Sequence, residues 1–137
     1  MTQNSTPPLD PLTALQSVPI FSEVHEDTLT GLVAAAEVKE LIRGDVLFNE
    51  GDEPNSLHIV LSGRIAIVKI SEVDDRESVV ALMDLGDLFG ELGLLDSGAR
   101  SATARAIEPT SILEIRYDDV RKIFDEQPDF CLLYTSP

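Results

Sequence analysis

The chain has 137 residues, 43% of them hydrophobic, and its 10 basic side chains stand against 25 acidic ones for a net charge of −15. That length supports one core of modest size and leaves no room for a second domain of ordinary dimensions. The acidity argues against direct contact with nucleic acid or an anionic membrane by this segment, since both surfaces would repel it.

Residues 1–10 are polar and proline-containing, without the basic and apolar regions of a secretory signal, and no apolar run reaches the roughly 18 to 20 residues of a membrane helix. A disordered tail is expected there, on a cytoplasmic chain with no membrane partner. Two short helices are predicted next, at Pro11 to Ser17 and Glu26 to Ala36. The second places Leu29, Leu32, Val33 and Ala36 at helical spacing, and both are expected to pack outside the main body.

From Glu37 the period changes to that of short strands: Val38 to Ile42, Val46 to Asn49, Leu57 to Leu61, Arg64 to Ile70, Ser78 to Met83, Ala102 to Ile107 and Ser111 to Arg116. Turn residues separate nearly all of them, among them Gly44, Gly51 and Gly63. Leu57, Ile59 and Leu61 share one face and Ile65 and Ile67 another, the period of half-buried strands. Such strands need a second sheet over their apolar face. The fold class is therefore mainly β with flanking helices, a jelly-roll sandwich. The charged segment Ser71 to Arg76 reads as a solvated hairpin end. Helical spacing resumes over Tyr117 to Glu126 through Val120, Ile123 and Phe124, with Asp118 and Asp119 near the positive N-terminus, and Pro128 marks a break.

The single cysteine, Cys131, allows no intrachain disulfide and no cysteine-rich metal cluster. It opens the heptapeptide Cys131 to Pro137, which back-translates into the mosaic end and adapter of transposase-based sequencing libraries. Residues 131–137 are thus expected to be a non-native tail, which confines the domain to 11–130.

The most informative stretch runs from Phe89 to Thr103. Gly90 and Gly93 let backbone approach a ligand closely, and a short helix starting near Glu91 would turn free N–H groups toward an anion. Arg100 adds a planar fork for phosphate oxygens, and Arg105 is a second nearby cation. Glu91 and Arg100 together suit a small anionic sugar phosphate.

Phe-Gly-Glu, an aliphatic residue, Ala or Gly, two aliphatics, three variable residues, Pro or Ala, Arg, a small residue and Ala is the pattern met at every position by Phe89 to Ala102. With it the chain resembles the cyclic nucleotide-binding domains of the catabolite activator protein, protein kinase A regulatory subunits and cyclic nucleotide-gated channels, from about Leu12 to Phe130. The resemblance implies a regulatory domain that binds cAMP or cGMP through a phosphate-binding cassette, without turnover and without a cofactor besides that ligand. It implies that Glu91 accepts a hydrogen bond from the ribose 2′-OH and Arg100 holds the cyclic phosphate. Gly90, Leu92 and Gly93 would supply backbone N–H groups and Ser101 a hydroxyl, while Ile67 and Val80 would pack against the base. The resemblance implies further that relatives carry an effector beyond the domain, in bacteria a helix-turn-helix regulator on a homodimer. Phosphate capture is expected to pull, through Leu92, Leu94 and Leu95, on the helix holding Val120, Ile123 and Phe124.

Two other classes compete. A jelly roll also suggests a cupin metalloenzyme, but such sites need several imidazoles, and only His25 and His58 are present. With neither a nucleophile elbow nor a Walker loop, no catalytic residue is assigned. The remaining rival is a degenerate sandwich kept as an interaction or scaffold module that binds no nucleotide.

Overall fold

The computed structural model describes residues 8–91, 94 and 98–126. The described elements run α1 (Pro11–Ser17), a 3-10 turn at Pro19–Phe21, α2 (Glu26–Ala35), β1 (Glu37–Leu41), β2 (Val46–Phe48), β3 (Ser56–Ser62), β4 (Ile65–Ile70), β5 (Glu77–Met83), β6 (Leu88–Phe89), β7 (Thr103–Ala106), β8 (Thr110–Arg116) and α3 (Tyr117–Glu126). The strands form two antiparallel four-stranded sheets, ordered β1-β8-β3-β6 and β2-β7-β4-β5. This is the expected β sandwich with flanking helices.

One turn is used three times to reverse the chain. At Ile42–Asp45, Asn49–Asp52 and Asp84–Asp87 the fourth residue's amide donates to the first residue's carbonyl, at 3.0, 3.1 and 2.9 Å. The carboxylate of the closing Asp accepts the first residue's amide at 2.9, 2.9 and 2.8 Å. Gly44, Gly51 and Gly86 occupy the third position with φ of 95°, 93° and 84°, the left-handed region such a turn requires there.

The helices do more than flank the sandwich. Ala14 and Leu15 of α1, Leu29 and Leu32 of α2, and Val120 and Ile123 of α3 bury themselves against Leu57, Ile59 and Leu61 of β3 and Leu113 and Ile115 of β8. A second cluster, with Val60, Ile65, Phe89, Ala104, Ala106 and Ile112, fills the space between the sheets. Central β3 is therefore buried on both faces rather than on one, correcting the half-buried reading, and α1 and α2 belong to the core. Each fully buried Leu or Ile there contributes about 1.5–3 kcal/mol. Asp10 caps α1 through Thr13 N at 3.2 Å, and the Leu9 amide donates to the Leu61 carbonyl at 2.7 Å. Leu9 and Asp10 thus bond to the fold from within the stretch expected as a tail. Among the described residues, no helix is long and apolar enough to cross a membrane.

Candidate ligand-binding site

Strand β6 is only two residues long, yet it sets the site. It pairs with β3 through His58↔Phe89 and Ile59↔Leu88, which buries the Phe89 ring and brings Gly90 over the inner face of β3. Gly90 takes φ of 80°, and a Cβ there would lie 2.8 Å from Arg100 Nη1. The position thus needs glycine for both backbone and space. Across the pocket, the Arg100 amide donates to Asp52 O and the Gly51 amide donates to Arg100 O, each at 2.8 Å. The second of the three turns therefore clamps the arginine's backbone, and Glu50 N donating to Thr103 Oγ1 at 2.9 Å continues the clamp.

Arg100 is 8% exposed. Its Nη2 donates to Ser56 O at 2.7 Å and its Nη1 to Gly90 O at 3.0 Å and Tyr117 Oη at 3.4 Å. The guanidinium carbon lies 4.0 Å above the Phe48 ring centre, a cation–π contact. Burial lowers its pKa from the ordinary value, the Tyr117 hydroxyl opposing that shift, but an arginine stays charged. Its direct contacts are dipoles and a ring, while Glu114 and Asp52 act on its charge from beyond contact. Among the described residues, no carboxylate lies within ion-pair distance of it.

A pocket of about 320 Å³ opens over this arginine, lined by Phe48, Ile67, Met83, Leu88 and Phe89, with Gly90, Glu91, Arg100 and Ser101 as its polar side. The volume and the apolar lining with few polar groups suit one small ligand. The structure thus brings Gly90, Glu91, Arg100, Ser101 and Ile67 to one cavity. Val80, on β5, is 54% exposed and is not among the lining residues. Leu92, Gly93 and Leu95 lie outside the described residues, as does the side chain of Phe124. Leu94 is described and buried in the cluster containing Tyr117, Val120 and Ile123. Arg105 is a correction: both its terminal nitrogens bind Glu77, at 3.1 and 2.5 Å. That fork-to-fork pair, on the outward face of β7, keeps it from the pocket.

Three contributors carried no signal of their own in the sequence. Phe48 reads as an ordinary strand residue and Tyr117 as a helix start. His58, placed correctly in a strand, lies beneath the pocket and is 1% exposed. Its Nε2 lies 3.1 Å from Glu114 Oε2 and 3.3 Å from Ser56 Oγ. Burial lowers its pKa below the ordinary value, and the Glu114 hydrogen bond offsets part of that shift. The imidazole is therefore neutral near pH 7, with its proton on the nitrogen facing the carboxylate. Glu114 is held down at about 2, first by that bond and further by Lys39, whose Nζ is 3.1 Å from Oε1.

The structure is a two-sheet sandwich with an open pocket lined by a buried cation that, among the described residues, no carboxylate pairs directly, an arrangement suited to a small anionic ligand. The chain belongs to the cyclic nucleotide-binding domain family, whose model matches residues 38–127. It is 28% identical over 110 residues to a CRP-like cAMP-activated global transcriptional regulator of Mycobacterium tuberculosis, covering 80% of this chain and 49% of that protein. It is 30% identical over 94 residues to human cGMP-dependent protein kinase 2, covering 69% of this chain and 12% of the kinase. The regulatory domain of Toxoplasma gondii PKA, solved with cAMP, superposes with a TM-score of 0.77 at 30% identity, covering 82% of this chain and 42% of that one. The chain thus spans about half the length of the mycobacterial relative and far less of the kinase. It is a regulatory-type cyclic nucleotide-binding domain.

Proposed function

We propose that this domain senses cAMP or cGMP by binding it through Gly90, Glu91, Leu92, Gly93, Arg100 and Ser101, without turning it over and without a further cofactor. The observation that carries this reading is Arg100, a buried guanidinium lining an open pocket with no acid in contact among the described residues. A cyclic phosphate supplies the missing negative charge, and a charge-assisted fork to it contributes about 1.5–3 kcal/mol. Glu91 stands on the same cavity wall to accept from the ribose hydroxyl, and Ile67, Met83 and Leu88 offer the base an apolar surface.

The output belongs to an effector domain of the parent protein, which we assign to a helix-turn-helix transcription regulator because the mycobacterial relative is a transcriptional regulator. Ligand shifts such a protein only by its differential affinity for two states. Leu94 is buried in one apolar cluster with Val120 and Ile123, which offers a physical route from cassette to α3.

One observation favours the rival scaffold reading: the Arg100 fork already has partners in Gly90 O, Ser56 O and Tyr117 Oη. Calorimetric titration of the chain with cAMP, cGMP and linear AMP separates the two. Saturable binding of a cyclic nucleotide, with AMP weaker, supports the sensor. Failure of all three ligands would establish the scaffold.

A further inference from the structure

His58 is a buried titratable group beside the pocket for which the binding scheme has no use. Its ring stacks on Phe89 with centroids 5.3 Å apart and lies 5.6 Å from Phe48, so it supports the two rings that line the cavity beside Arg100. While Nε2 faces Glu114 and Ser56, Nδ1 is buried with no hydrogen-bond partner. It is directed at Gly90: the place a Cβ would occupy there is 3.2 Å from His58 Nδ1 and 2.8 Å from Arg100 Nη1. The bare nitrogen and the phosphate-site guanidinium therefore meet at one glycine.

We propose that His58 is a positioning residue of the anion site, whose protonation, felt through Arg100, strengthens the pocket's hold on a cyclic phosphate. The inference rests on the nucleotide-binding reading. The groups facing the imidazole are Glu114 from β8 with Lys39 from β1 behind it, Ser56 on its own strand, Phe89 and Gly90 from β6, Phe48 from β2, and Arg100 from the loop before β7, with Asp52 acting on Arg100. A neutral imidazole turns a lone pair toward Gly90 and tolerates the nearby guanidinium. A protonated one places a second cation there, and an anion in the cavity offsets both. Linkage then requires reciprocity: if protonation favours the anion, the anion raises the proton affinity of His58 by the same factor. Burial holds His58 below 6.5 in the empty site, so tightening is expected as pH falls below that value. A rise of half to one pKa unit on binding corresponds to about threefold to tenfold in affinity.

The test is calorimetry with whichever of cAMP and cGMP binds at pH 7.5, repeated at pH 6.5 and 5.5 at fixed ionic strength, beside an NMR titration of the His58 ring with and without nucleotide. The ring's pKa should rise on binding, and affinity should rise from pH 7.5 to 5.5 by up to the roughly threefold to tenfold that such a shift allows. His58→Gln keeps a donor for Glu114 but cannot titrate, so its profile should be flat, while exposed His25 remains in both proteins as a control. If that variant does not fold, the ring titration of the parent decides. Binding at pH 7.5 that does not vary with pH, or an unchanged ring pKa, overturns the role of His58 and leaves the nucleotide reading intact. Absence of binding at every pH overturns the nucleotide reading and this inference with it.

Discussion

Arg100 is held by two carbonyls, a phenol and a ring, and that set of partners depends on its shape as much as its charge. A lysine ammonium is a point donor without a planar fork, so it cannot serve Ser56 O and Gly90 O together and still face a phosphate. One buried carbonyl would be left unsatisfied, at a cost of about 1–3 kcal/mol. Arg100→Lys is accordingly expected to bind cyclic nucleotide about ten- to a hundredfold more weakly, despite an unchanged formal charge. Calorimetry on parent and variant checks this, and equal affinities would mean that the fork is irrelevant. That Arg100 and Glu91 would share one cavity was legible because both lie inside one short motif whose glycines and spacing constrain it locally. Phe48, His58 and Tyr117 were not, since each reaches the site only through strand pairing and packing between parts of the chain far apart in sequence.

At the scale of elements, the local signals were the reliable ones. The expected bounds of α1 and α3 coincide with those observed, because caps, proline and helical spacing all act within a few residues. Strand β6 passed unnoticed since two residues cannot display a period of two, and the core role of α1 and α2 was hidden because partner faces are chosen by tertiary contact. That contact gives α3 its link to the pocket. Tyr117, its first residue, donates its hydroxyl hydrogen bond to the Gly90 carbonyl and receives one from Arg100, while its amide donates to Asn55 O at 2.9 Å. Tyr117→Phe keeps the packing and removes the hydroxyl, at an expected cost of about 0.5–1.5 kcal/mol in stability. Its larger effect should fall on coupling. In the parent, hydrogen exchange over Tyr117 to Glu126 should change on adding nucleotide, and in the variant that change should shrink while binding persists. An identical response in both proteins would remove Tyr117 from the route and leave Leu94 to carry it.

For the whole molecule, two electrostatic effects oppose each other on acidification. The net charge of −15 repels itself, so protonating exposed carboxylates relieves the fold. Against this stand Glu114 and His58, which join β8 to β3 at the centre of a sheet. The Glu114 carboxyl is held at about 2 in the fold against an ordinary 4.5, so its contribution is complete above 4.5 and is lost as pH falls toward 2. The His58 pKa is lowered by burial, so the unfolded chain takes up the proton first and stability declines as pH falls below 6.5. Both slopes have the same sign. Repulsion among exposed charges acts over distances screened beyond ~8 Å at physiological salt, whereas the partly buried contact is 3.1 Å long, so the local effect should win. Thermal unfolding at 0.15 M salt should therefore show Tm falling from pH 7 to 5.5 and more steeply from 4.5 to 3. Glu114→Gln should lose about 1 kcal/mol at pH 7, a value reduced from the full shift because the carboxylate is partly solvated, and should flatten the limb below 4.5. A Tm that rises on acidification would show that the net charge, not the β3–β8 pair, governs the stability of this domain.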